Sequence, residues 1–125
     1  MSSLPSSTTN ANQRDLRLSP SEKAIARKAF DAALSQELHE VIQEAKRMAS
    51  QITQSSDLWD LEHYLTRRRK EIDRKYDYRY SELTHVFGKL MQERRLGEED
   101  LRGLREDKLK AIRSYAKFLA EMDAA

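Results

Sequence analysis

His39, His63 and His85 are the only imidazoles in this chain. A metal needs ligands that one helix or loop can aim at a single point, as a His-x-x-x-His or Glu-x-x-His pair does, and no such pair suited to a metal is expected here. There is no cysteine, so there is no thiolate ligand, thiol nucleophile or disulfide frame. Gly88, Gly97 and Gly103 are isolated from one another, which leaves no glycine-rich loop to cradle a phosphate. No serine stands in a nucleophile-elbow sequence. Carboxylates are plentiful but interleave with bases, the pattern of a solvated helix surface. The expectation is a protein that is not an enzyme.

Two features could instead recognise another molecule. The run from Arg67 to Lys75 (RRRKEIDRK) is the most basic part of the chain. It reads either as a docking face for an acidic surface or as a solvated helix held by i,i+4 pairs such as Arg69 with Asp73. Tyr76, Tyr78 and Tyr80 interleave with arginine, as nucleic-acid binders do, but Glu71, Asp73 and Asp77 share the segment and would repel phosphate. The single tryptophan, Trp59, is either a packing residue that clamps a turn or an interface anchor, since tryptophan and arginine dominate binding hot spots. On a helix Glu62, His63 and Thr66 fall near its face, and Arg69 falls almost in line with Glu62.

The elements that position these residues are helices. Alanine, leucine, arginine, lysine and glutamate are frequent and glycine is scarce. Ser19-Pro20-Ser21-Glu22 is a helix start, with a serine cap, a proline at the first position and a glutamate completing a capping box. A first helix is expected over 20–53, with Leu34, Leu38, Val41, Ala45, Met48 and Ile52 spaced as a heptad seam. Thr53-Gln54-Ser55-Ser56 is the break, and Ser55, Ser56 or Asp57 caps a second helix. That helix is expected to run unbroken to about Arg95, roughly 55 Å, with Leu58, Leu61, Leu65, Ile72, Tyr76, Leu83, Val86 and Leu90 on one face. Gly97 is expected to take the left-handed cap that ends it. A third helix follows over about 98–121, with a break near Arg105–Lys108 and an apolar face of Leu101, Leu104, Ile112, Tyr115 and Leu119. Residues 1–18 are expected to be a disordered tail, being mostly small and polar up to Arg14.

The 125 residues carry 35% charged and 38% hydrophobic side chains with a net charge of +2, which suits one all-α domain with thin apolar stripes. No apolar run approaches the ~20 residues that span a bilayer, and no secretory leader is visible, so the cytoplasm is the expected compartment. Long helices draw most of their stability from packing. Two or three of them from one chain cover only part of each stripe, so a homodimer, or a tetramer of paired dimers, is expected.

The stretch Asp57-Leu58-Trp59-Asp60-Leu61-Glu62-His63-Tyr64-Leu65, followed by Arg67 through Arg79, closely resembles the fluorescence recovery protein family. So do Ala49 to Gln54, Val86-Phe87, Leu90 to Glu93, Glu99-Asp100-Leu101 and Asp107-Lys108, which extends the resemblance over roughly residues 20 to 115. It implies an all-helical homodimer with an elongated stalk (about 19–80) and a small helical head (about 81–125). It also implies a binding regulator that engages the photoactivated orange carotenoid protein, chiefly through that partner's C-terminal domain. Such a regulator speeds the partner's return to the resting form and so ends phycobilisome fluorescence quenching, with no bond made or broken and no cofactor of its own. Trp59 and Arg69 match the family's tryptophan and arginine. Glu62 stands where a histidine is expected, His63 where an aspartate is, His85 where a phenylalanine is, and Ala111 where a lysine is. With Phe87 these make the partner-binding set Trp59, Glu62, His63, Arg69, His85 and Phe87. The alternative is a helical dimeric adaptor on the same scaffold with a different protein partner.

Overall fold

The computed structural model describes residues 17–124. Of the expected tail, residues 1–16 lie outside the described residues, while Arg17 and Leu18 are in place against the body. Leu18 packs on the core, and the Arg17 carbonyl accepts from the Lys108 ammonium.

Helix α1 spans Pro20–Ser50. Its start is the capping box read from the sequence: the Ser19 hydroxyl accepts from Glu22 N at 3.2 Å, and the Glu22 carboxylate accepts from Ser19 N at 2.9 Å. Helix α2 spans Ser55–Lys75 and runs back along α1. Its cap comes from the third position, where the Asp57 carboxylate accepts from Thr53 N at 3.1 Å and Gln54 N at 3.2 Å.

The unbroken helix expected from Asp57 to Arg95 is not formed. The chain leaves helix after Lys75, passes through Tyr76–Glu82, and re-enters as α3, Leu83–Gln92. No proline or glycine marks the break; tertiary packing makes it. Tyr76 donates its hydroxyl to Glu37 at 2.8 Å, and the rings of Tyr76 and Tyr78 sit edge-on against Phe30 at 5.5 and 4.8 Å. Turning back lets Leu83, Val86, Phe87 and Leu90 bury against Ala26, Ala29, Phe30 and Ala33 of α1. Burying each large apolar side chain is worth ~1.5–3 kcal/mol, against ~0.5–1.5 kcal/mol for each helical hydrogen bond given up. A straight helix would leave that apolar set in water.

The end of α3 also differs from expectation. Arg94, not Gly97, takes the left-handed conformation, with φ 63°, while Gly97 has φ −106°. Arg95 N donates to Leu90 O and Arg94 N to Met91 O, the paired bonds of a Schellman ending. The expected third helix is a 3₁₀ turn, Glu98–Leu101, and a separate helix α4, Glu106–Ala124. The turn between them needs Gly103, whose φ is +109° and where a Cβ would lie 2.5 Å from Ile25 Cδ1. Helices α3 and α4 cross closely at Gly88, where a Cβ would lie 2.6 Å from the Tyr115 ring. The described residues form no named strand, and the fold is all-α.

The core joins the first four turns of α1 to α3, the 3₁₀ turn and the start of α4. An ion pair seals it. Glu22 is buried, accepts from Lys108 Nζ at 2.5 Å and from Arg105 N at 2.9 Å, and so ties the start of α1 to the start of α4. Burial alone would raise the Glu22 pKa. The Lys108 ammonium and the amides of Ser19 and Arg105 outweigh it and hold the group at about 2.

Candidate functional site

The far half of the α1–α2 hairpin is built differently from the core end. Past Glu37 no residue of α1 is buried, and before Ile72 none of α2 is. The heptad seam from Leu34 to Ile52 is only partly covered by α2. Leu38, Ile42, Leu58 and Leu65 keep 42–50% of their surface in water.

Trp59 lies in the first turn of α2, placed by the Asp57 cap, and is 56% exposed. It does not clamp the turn. Glu62 and His63 follow it on the open side, where His63 Nε2 is 3.7 Å from Glu62 Oε1 and Thr66 donates to Glu62 at 2.9 Å. Arg69 is 85% exposed at its side chain and approaches Asp73 only at 3.9 Å, so that pair adds little. The helix thus brings Trp59, Glu62, His63 and Arg69 onto one solvent-facing side, a bulky apolar ring beside charged groups free to meet a partner.

His85 stands apart from them. It lines an open groove of about 830 Å³ between the last turns of α2 and the pair α3–α4, together with Arg74, Asp77, Glu82, Lys89 and Tyr115. Its ring is 4.7 Å from that of Tyr115, and Glu82, three residues earlier, is 3.7 Å away. Glu82 and His85 do stand at Glu-x-x-His spacing, a pair that was not expected from the sequence. Two ligands do not make a metal site, and no group of three metal-binding side chains exists among the described residues. Phe87 requires correction as a contact residue: it is 0% exposed in the centre of the core, so it holds the scaffold and cannot touch a partner's surface.

Glu37 is the residue that sequence reading missed. It is fully buried on α1, accepting from Arg68 at 2.8 Å, Lys75 at 2.7 Å and Tyr76 at 2.8 Å, with Arg95 at 3.2 Å. Glu93 and Glu40 balance the surplus cations, Glu93 at 2.7 Å from Lys75 and Glu40 at 2.8 Å from Arg95. Burial would raise the Glu37 pKa, and the hydrogen bonds from Lys75, Tyr76 and Arg68 lower it below the usual range. The signal was present: Ala26, Phe30, Ala33 and Glu37 follow one another at intervals of 4, 3 and 4, so an acid occupies a core register. The cluster fixes the hairpin to the core and turns Arg68 and Lys75 inward. Both strongly buried carboxyls, Glu22 and Glu37, are lowered and locked in ion pairs, whereas a general acid or base is poised near neutral pH.

Comparison with known proteins finds a matching family and relatives of solved structure. The family described as "Photoprotection regulator fluorescence recovery protein" matches residues 18–116. The fluorescence recovery protein of Synechocystis sp. (strain PCC 6803) is 38% identical over 100 residues, covering 80% of this chain and 92% of its own. Its solved structure superposes with a TM-score of 0.77 over 80% of this chain and 98% of that one, at 38% identity. The structure of the Fremyella diplosiphon fluorescence recovery protein gives a TM-score of 0.76 over 79% and 97%, at 39% identity.

Proposed function

The chain belongs to the fluorescence recovery protein family of photoprotection regulators, and from that premise we propose that it binds the photoactivated orange carotenoid protein and accelerates its return to the resting form, ending phycobilisome fluorescence quenching. It does so in the cytoplasm, by binding alone, with no bond made or broken and no cofactor. The observation that carries this is the uncovered α2 face, where Trp59 stands 56% exposed beside Glu62, His63 and Arg69. An aromatic anchor ringed by polar groups is the composition of a binding hot spot.

The same hairpin supports a homodimer. Leu38, Ile42, Leu58 and Leu65 are half-exposed on two helices that bury nothing between Glu37 and Ile72. A second copy, two-fold related, supplies the missing cover. The hairpin is then the stalk and residues 81–125 the head, with the first turns of α1 packed into it. Light scattering at micromolar concentration checks this: a dimer is expected, and a monomer would remove the shared interface.

The functional test is direct. Photoactivated orange carotenoid protein is mixed with this protein and its dark recovery is timed. Faster recovery is expected, and Trp59→Ala should lose most of the acceleration. No acceleration at excess protein would remove the function. The adaptor alternative draws on His63, which the family resemblance makes an aspartate. His63→Asp should therefore speed recovery beyond the natural chain, and an inert natural chain rescued by His63→Asp would mark the adaptor.

A further inference from the structure

The buried Glu37 divides the basic run of α2 into two sides. Arg68 and Lys75 turn inward to its carboxylate. Arg67, Lys70 and Arg74 are left facing water. With His63 they are spaced 4, 3 and 4 along the helix, a straight stripe about 16 Å long. With Thr66 and Glu71, whose carboxylate is drawn to Arg68 at 2.8 Å, they line one shallow groove. Among the described residues Lys70 and Arg74 have no ion-pair partner, and Arg67 reaches Glu71 only at 3.6 Å. Like charges at this spacing repel and weaken a helix, so the stripe is not a stabilising device for this chain alone. Trp59 lies eleven residues before Lys70, about three helical turns, and so begins the same line.

We propose that Arg67, Lys70 and Arg74 form a docking rail for an acidic helix of a partner protein, with Trp59 as its apolar end. The proposal of a carotenoid-protein partner supplies the occupant, and the rail states its chemistry: carboxylates three and four residues apart on a helix lying along α2. That spacing places successive acids ~5–6 Å apart, matching the cations one to one. Nucleic acid fits less well. Asp60, Glu62 and Asp73 flank the stripe on the same helix, and a continuous phosphate backbone could not avoid them as discrete carboxylates can.

The test uses the full chain and a fluorescently labelled helical peptide carrying glutamates at the same 4, 3, 4 spacing, read by anisotropy. Lys70→Glu/Arg74→Glu is compared with Lys110→Glu/Lys117→Glu, which changes net charge equally on the exposed side of α4. The first variant should bind the peptide about tenfold more weakly at low salt, with the difference shrinking as salt rises, while the second binds as the natural chain does. Equal losses in both variants, or none in either, would overturn the rail. So would tighter binding of duplex DNA than of the peptide. Dark recovery of the carotenoid protein is followed in parallel. A natural chain that fails to accelerate recovery, yet loses the peptide only through Lys70→Glu/Arg74→Glu, removes the proposed function and leaves the rail standing.

Discussion

Glu37→Gln isolates the contribution of the buried charge cluster. The substitution keeps the side chain's size and one acceptor oxygen but removes the anion that Arg68, Lys75 and Arg95 share at 2.8, 2.7 and 3.2 Å. Breaking a buried pair by removing one partner costs about 3–5 kcal/mol. The three cations are only partly exposed, and Glu93, Glu40 and Glu71 remain beside them. Those acids put the expected loss at the low end, about 3 kcal/mol. For a chain of this length that is a fall in Tm of roughly 10 °C. Thermal unfolding followed by circular dichroism at 222 nm measures it, at one protein concentration because self-association would shift Tm. Lys75→Met completes a double-mutant cycle, in which the double variant should lose less than the sum of the singles, by about 1–3 kcal/mol. A Tm change below about 2 °C, or strict additivity with Lys75→Met, would refute the view that Glu37 anchors the hairpin to the core.

Acid should weaken the fold through Glu22, whose folded pKa of about 2 lies below its ordinary 4.5. A depressed pKa contributes stability that is fully present above the unfolded value and lost as pH falls towards the folded one, so the loss should fall between about pH 5 and 2. Urea midpoints across that window should drop for the natural chain and drop less steeply for Glu22→Gln, which keeps the lowered Glu37, and parallel curves would sink the assignment. Gly88→Val should cost about 2–3 kcal/mol, because even a Cβ there meets Tyr115 at 2.6 Å; an unchanged urea midpoint would mean that α3 and α4 do not cross so closely. Arg94→Gly should raise stability by about 1 kcal/mol, since φ 63° is strained for arginine and free for glycine. A lowered midpoint would show that the arginine side chain does more than the turn requires.

Local chemistry read from the sequence carried much of this structure. The capping box at Ser19–Glu22, the break before Ser55, the all-α class and the placing of Trp59, Glu62 and Arg69 near one face of a helix all follow from side chains acting on their own backbone within a turn or two, whereas the exposure of Trp59 came from the fold. The family resemblance rested on the same α2 segment, and the family match confirmed it. What failed was long-range. No proline or glycine stands between Lys75 and Leu83 and the weaker helix formers there (Tyr, Asp, Ser) do not by themselves end a helix, so the break is not legible until Phe30 offers Tyr76 and Tyr78 a surface and α3 a core to enter. Phe87 went from a contact to the centre of that core for the same reason.

The sequence by itself determined where helices begin, that they bear narrow stripes, and which residues on α2 stand together, because capping and 3.6-residue periodicity are local. Only the tertiary structure decided which charges are occupied. Arg67, Arg68, Arg69, Lys70, Arg74 and Lys75 are one basic run in sequence, and a buried carboxylate on another helix takes Arg68 and Lys75 while leaving the other four to solvent. Desolvation forces that choice, since Glu37 cannot lie at the core register without cations against it, and those cations come from residues more than thirty positions away.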